Sequence, residues 1–165
     1  MKTITLIGMM GSGKTTVAAY LATMLNLPVI DTDKEIESAE NRTVSDIFTE
    51  NGESYFRRLE KNIIKTLLNS EQKILSVGGG AFEDFETRQL LLQNSTVIYL
   101  ETSAENIYQR IKNDKTRPLL KDNMTVEKID EIISNRCINY KKAHFTITTD
   151  NKNIEQIANK IIGVI

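Results

Sequence analysis

The chain has 165 residues, enough for one domain with a real core, and its 21 basic side chains against 22 acidic ones leave a net charge of −1. No stretch carries a sustained basic run, which argues against nucleic acid or an anionic membrane as partner, and the lone cysteine, Cys137, excludes an internal disulfide or a paired-cysteine zinc site. No apolar run approaches membrane-spanning length and the first strand pattern begins at Lys2, so the expectation is a cytoplasmic protein without signal or transit peptide.

KTITLI, from Lys2 to Ile7, reads as a strand, and the apolar spacing of Val17, Leu21, Met24 and Leu25 marks a helix after it. LPVID, ending at Asp31, is a second strand; two short helical pieces follow between Asp33 and Gly52. From Glu53 to Leu68 the residues Phe56, Leu59, Ile63 and Leu67 form one apolar helical face. KILSVGGGAF, from Lys73, is a strand running into glycines, STVIYLE, from Ser95, is another strand, and Ala104 to Lys112 is a helix. Val126, Ile129, Ile133, Cys137 and Tyr140 line one long helix, HFTITT supplies a last strand, and Ile154 to Ile162 close the chain as a helix. Strands alternating with helices predict a single α/β domain, residues 1–165, with a parallel sheet covered on both faces. NDKTRPLLKDNMT, residues 113–125, lacks apolar periodicity and is long for a connection, which makes it a candidate lid.

The strongest chemical signal is GMMGSGKT, Gly8 to Thr15, which fits the phosphate-binding pattern G-x-x-x-x-G-K-[ST] between a strand and an amphipathic helix. Its glycines let backbone N–H groups turn toward phosphate oxygens, the helix N-terminus adds partial positive charge, Lys14 reaches the outer phosphates, and Thr15 offers a hydroxyl to Mg²⁺. A regulatory GTPase would share this loop. It would also need an Asp-x-x-Gly segment, which no glycine here completes, and an Asn-Lys-x-Asp segment, where NKNI places Ile154 at the guanine-reading position.

Asp31 and Asp33 stand two apart at the end of the second strand, a spacing that would put both carboxylates on one side of a strand at the crevice where α/β folds bind ligands. The bland alternative is a pair of solvated acids capping the next helix. A run of three glycines, Gly78 to Gly80, directly after a strand lets backbone approach a ligand with no side chain between.

Together with Asp31, Asp33, FRRLE at Phe56 to Glu60, GGGA at Gly78 to Ala81, RPLL at Arg117 to Leu120 and the R-x-x-x-Y of Arg136 and Tyr140, the phosphate loop resembles the shikimate kinase family, in order and spacing from Gly8 to about Ala143. The resemblance implies a three-layer P-loop fold of the nucleoside monophosphate kinase type, a five-stranded parallel sheet in the order 2-3-1-4-5 with a mobile lid, and transfer of the γ-phosphoryl of ATP, with Mg²⁺, to the 3-hydroxyl of shikimate on the route to aromatic amino acids. It implies that Gly11, Ser12, Gly13, Lys14, Thr15 and Thr16 hold the ATP phosphates, joined by Arg117 from the lid, with Arg110 near the adenine. It places Thr15 and Asp31 at the metal, and Asp33 on the shikimate hydroxyls as the residue that orients and deprotonates the attacking one. Guanidinium forks bind carboxylates bidentately, and Arg57 and Arg136 match the family's carboxylate-binding positions; Glu60 holds Arg57, and the backbone at Gly79 and Gly80 meets shikimate. Lys14, Asp33 and Arg117 thus form the expected catalytic set. The sequence departs from the pattern at Asn151 and Lys152, where many relatives carry an arginine against the adenine. His144 and Cys137 receive no role and read as structural. A kinase of another sugar acid on the same fold would share the phosphate loop but not FRR, GGGA and RPLL; a relative that only binds would be expected to lack Lys14 or the acids. A monomer is expected.

Overall fold

The computed structural model describes residues 2–112 and 125–165, so the candidate lid and Arg117 lie outside the described residues, Thr125 excepted. Strand β1 (Thr3–Ile7) is buried along its whole length, as β-branched residues at the centre of a parallel sheet should be. Helix α1 (Lys14–Leu25) follows the phosphate loop and stops at Asn26, which takes the left-handed conformation with φ 52°. Strand β2 (Val29–Asp31) runs straight into α2 (Thr32–Glu40), because the Asp31 side chain accepts from the backbone N–H of Asp33 and caps the helix. Thr43 and Asp46 form a reciprocal capping box at the start of α3 (Val44–Leu68), which is broken at Gly52, with φ 79°. The two pieces expected between Asp33 and Gly52, and the helix from Glu53 to Leu68, are therefore present.

Strand β3 (Ile74–Ser76) is shorter than the expected KILSVGGGAF and gives way to the glycine turn and a single 3₁₀ turn, Ala81–Glu83. Helix α4 (Phe85–Asn94) was not foreseen: its leucines, Leu90 to Leu92, are consecutive rather than spaced, so the apolar period is silent, although Asp84 caps the helix by accepting from Thr87 N–H. Then come β4 (Ser95–Glu101), α5 (Ala104–Ile111), α6 (Val126–Tyr140), β5 (Phe145–Thr148) and α7 (Ile154–Ile162).

All strand pairs are parallel, in the order β2-β3-β1-β4-β5, as expected. Alternate residues of each strand feed opposite faces. Ile4, Leu6, Ile98 and Leu100 pack with Val17 and Leu21 of α1 and Ile157 and Ile161 of α7. Ile7, Val97 and Tyr99 pack on the other face with Ile64 of α3, Leu91 of α4 and Tyr140 of α6. Three layers result, with the loops after β1, β2 and β3 opening on one edge of the sheet. His144 accepts from Val97 N–H through Nδ1 at 3.0 Å, a structural contact.

Candidate active site

The loop after β1 turns on backbone that side chains resist. Gly13 caps α1 at φ 92° with no side chain over the first N–H groups, so the helix N-terminus faces outward as an anion site. Ser12 lies buried beneath the loop, its backbone N–H donating to the Met9 carbonyl at 3.1 Å. Lys14 folds back over the loop, its Nζ donating to the carbonyls of Gly8 at 2.9 Å and Met9 at 3.0 Å. From α5, Arg110 Nη1 donates to the Gly11 carbonyl at 3.1 Å, which brings a second cation to the phosphate side.

Beside this loop, Thr15 Oγ1 donates to Asp31 Oδ2 at 3.1 Å. Asp31 and Asp33 both line the cleft, but not as neighbours on one strand face: Asp31 ends β2 and Asp33 sits in the first turn of α2. The strand-geometry expectation is corrected, because helix capping by Asp31 starts α2 at Thr32. Both the capping and the cleft-facing readings of Asp31 hold at once.

On the acceptor side, Arg57 is gripped by two carboxylates of its own helix: Nη1 donates to Glu60 Oε2 at 2.7 Å, and Nε and Nη2 donate to Glu53 Oε1 at 3.2 and 3.1 Å. Burial works against its charge, yet Glu60 and Glu53 together raise its pKa, and it stays a guanidinium. A Cβ on Gly80 would lie 2.1 Å from Arg57 Nη2, so only glycine lets the guanidinium sit against the turn. Arg136, from α6, flanks the same turn at Gly79, 3.5 Å from where a Cβ would stand, and its Nη1 lies 3.9 Å from Met9 Sδ of the phosphate loop. The backbones of Gly79 and the phosphate loop also meet, since a Cβ on Gly79 would be 3.2 Å from the Gly8 carbonyl oxygen.

Of three buried carboxyl oxygens with no hydrogen-bond partner among the described residues, two, Asp33 Oδ1 and Glu60 Oε1, lie on the acceptor side. They converge on Gly78, whose Cβ would meet Glu60 Oε1 at 2.7 Å and Asp33 Oδ1 at 2.9 Å. Burial raises the pKa of Asp33, and Asp31 adds to the rise against the pull of Lys14 and Arg57. Burial pushes Glu60 up to about 7, against the attraction of Arg57 and with help from Asp33 and Asp84. Between about 4.5 and 7 the folded protein therefore holds a proton on Glu60 that the unfolded chain has released, so this group's contribution to stability falls as pH rises through that window. Gln keeps the shape of the protonated acid at every pH. Glu60→Gln should gain stability relative to wild type as pH rises across the window, by at most on the order of 3 kcal/mol, and the difference should be level outside it. Denaturant unfolding of both proteins at a series of pH values checks this; a difference that stays level throughout contradicts it.

Gly11, Gly13, Lys14, Thr15, Thr16, Asp31, Asp33, Arg57, Gly79, Gly80, Arg110 and Arg136 all line one cleft of about 780 Å³. Phe48 and Phe56, with ring centroids 4.7 Å apart, line it too. The profile of the family described as shikimate kinase matches residues 10–165. The chain is 44% identical over 163 residues to the shikimate kinase of Persephonella marina, covering 99% of this chain and 98% of that protein. The chain belongs to the shikimate kinase family. It is likewise 41% identical over 162 residues to the shikimate kinase of Sulfurihydrogenibium sp., covering 98% of this chain and 96% of that one. A solved shikimate kinase from Acinetobacter baumannii in complex with shikimate superposes with a TM-score of 0.94 at 36% identity, covering 98% of this chain and 91% of that one.

Several features of this cleft carried no signal in the sequence. Thr32 is buried, donates through Oγ1 to the Ser76 carbonyl at 3.4 Å and accepts from Gly78 N–H at 3.3 Å, so it ties α2 to the glycine turn. Phe56 was legible only as part of an apolar helical face, and its pairing with Phe48 crosses the break at Gly52. Asn151 and Lys152 line a separate depression with Asp150 rather than this cleft. Among the described residues no cluster of three or more His, Cys, Asp or Glu could hold a metal ion, and no helix is long and apolar enough to cross a membrane.

Proposed function

We propose a division of labour among these residues for the reaction of the family, transfer of the γ-phosphoryl of ATP to the 3-hydroxyl of shikimate. The observation that carries it is the meeting, in one cleft, of the phosphate loop, the carboxyl of Asp33, and two guanidiniums flanking the glycine turn. The N-terminus of α1 and Lys14 receive the phosphates of ATP, and Arg110, held at the Gly11 carbonyl, flanks the nucleotide. Arg57 and Arg136 take the shikimate carboxylate, which fixes the ring and brings the 3-hydroxyl to Asp33. Asp33 accepts the hydroxyl proton as that oxygen attacks the γ-phosphorus, the bond from the γ-phosphorus to the bridging oxygen breaks, and the displaced oxygen leaves with ADP. Lys14 offsets the charge on the transferring group.

Thr15 and Asp31 fit Mg²⁺, a hard cation that takes one or two protein oxygens and completes its shell with water and phosphate. When bound it supplies charge neutralisation on the phosphate oxygens. Arg117, matched through RPLL, belongs to the same proposal as a further phosphate ligand, and the chain acts as a single domain and a monomer in the cytoplasm.

A coupled assay offering ATP with shikimate, gluconate, quinate or AMP in parallel tests the acceptor. Turnover confined to shikimate is expected, and preference for another acceptor overturns the assignment. Arg57→Ala should weaken shikimate binding by roughly 2 to 5 kcal/mol, the usual cost of removing one partner from a desolvated charge pair. ADP binding without shikimate should barely change; calorimetric titration with each ligand separates the two, and equal weakening of both would make Arg57 structural.

A further inference from the structure

The two guanidiniums that flank the glycine turn are held in different ways. Arg57 is gripped by Glu53 and Glu60 on its own helix, whereas Arg136 forms no ion pair among the described residues. The near neighbours of Arg136 are the Met9 sulfur and the Tyr140 hydroxyl, so its place depends on how α6 itself is set. The N-terminal half of that helix packs through Ile129, with Ile132 and Ile133 beside it, into an apolar cluster with Met9, Ile107 and Ile111. Apolar contact is non-directional, so it fixes where the helix lies better than how it is turned about its axis.

The rotation is set at the other end of the helix. Arg136, Asn139 and Tyr140 are three and four residues apart and share one face of α6, which meets the segment from Gly79 to Glu83. Arg136 lies beside Gly79, the Tyr140 hydroxyl donates to the Gly79 carbonyl, and Asn139 Nδ2 donates to Glu83 Oε2 at 2.8 Å. Lys142 Nζ donates to Asn139 Oδ1 at 3.0 Å, which leaves the amide nitrogen for the carboxylate. Glu83 is itself anchored. Its N–H donates to the Gly80 carbonyl at 3.1 Å, and Arg88 Nη1 donates to the carbonyls of Glu83 at 3.1 Å and Phe82 at 2.8 Å. Glu83 Oε1 is the third of the buried carboxyl oxygens without a partner, so among the described residues this carboxylate depends on Asn139 for its hydrogen bonding.

We propose that Asn139 is a positioning residue for Arg136: its hydrogen bond to Glu83 fixes the rotation of α6, and with it the place of the guanidinium that receives the acceptor's carboxylate. The proposal rests on the reading of Arg136 as a ligand of that carboxylate. A single attachment at Tyr140 would let the helix pivot; the second, at Asn139, removes that freedom. Side chains extend about 5 to 6 Å from a helix axis, so a rotation of about 10° moves a tip by about 1 Å. That exceeds the spread of about 0.5 Å over which hydrogen-bond distances are favourable, so a two-pronged contact loses a prong. Arg57, carried on α3, and the groups at the phosphorus stay in place.

Asn139→Asp sets a second carboxylate against Glu83. NMR titration with shikimate, which reads weak binding as well as tight, is run on wild type, Asn139→Asp, Arg136→Ala and the double variant. Asn139→Asp alone should weaken shikimate binding roughly 3- to 10-fold, within the coupling usual for residues of one network, and leave ADP binding within about twofold. In the Arg136→Ala background the same substitution should change shikimate binding by less than about twofold, which general disturbance of the site would not give. Adding Glu83→Gln to Asn139→Asp exchanges donor and acceptor and should return the affinity to within about twofold of wild type. If Asn139→Asp does not fold, Asn139→Ala, which removes the donor without adding charge, takes its place in the cycle. Wild-type affinity in the Asn139 variant, equal weakening with and without Arg136, or an exchanged pair that restores nothing overturns the positioning role. Shikimate bound by Arg136→Ala as tightly as by wild type overturns instead the reading of Arg136 as a carboxylate ligand, and the proposal with it.

Discussion

Lys14→Ala is expected to lower kcat by at least about 10² to 10³-fold, the usual cost of removing one preorganised charge-stabilising donor, while the protein stays folded. The ammonium is already held over the loop by the Gly8 and Met9 carbonyls, so it needs little rearrangement to meet developing charge on the phosphoryl group. Those same contacts brace the loop, so loss of rate must be separated from loss of shape. Circular dichroism and the unfolding midpoint read the fold, and calorimetry with ADP reads the loop. A folded variant that binds ADP within several-fold of wild type and has lost turnover supports the role; near-normal turnover would remove Lys14 from the chemistry.

Asp33→Asn should be nearly as damaging, and for a different reason. The amide has the shape of the carboxylate but cannot take the hydroxyl proton, so the loss belongs in kcat, in the range of about 10² to 10⁴-fold typical of a general base. Asp33 lines the cleft on the acceptor side, its carboxyl packed beside the glycine turn at Gly78. Burial and Asp31 hold its pKa above the ordinary carboxylate value, which strengthens it as a base. Steady-state kinetics in shikimate, with binding of shikimate measured directly, separate the two roles. A change confined to KM would make Asp33 a binding residue alone.

The phosphate loop was legible because its chemistry is carried by residue types at fixed spacing, and the sheet order followed from the family that the ordered motifs resemble. The relation of Asp31 to Asp33 was not, since the choice between a longer strand and an early helix turned on one side chain capping its own chain at Thr32. Helix α4 escaped because consecutive leucines satisfy burial against both the sheet and α3 without a helical period. Glu60 was expected to hold Arg57 and does, at 2.7 Å; that burial also makes it retain a proton depends on what α2 and α4 bring near it, which no local pattern records. Tyr140 could be recognised as part of a motif but not placed, because its hydroxyl donates to the backbone carbonyl of Gly79, a contact that leaves no trace in residue identity.

The order β2-β3-β1-β4-β5 also bears on how such an enzyme can change over evolutionary time. The chain builds the phosphate loop on the central strand, then lays down Asp33, Arg57, Glu60 and the glycine turn on one flank as a nearly continuous block from Asp31 to Gly80. Arg110 comes from the opposite flank, and Arg136 crosses over from α6. Changes within the block between β2 and β3 therefore fall mainly on the acceptor side, while the phosphate loop, Lys14 and Arg110 lie outside it. Donor and acceptor groups thus draw on largely separate stretches of the chain, joined at Asp31 and at Arg136.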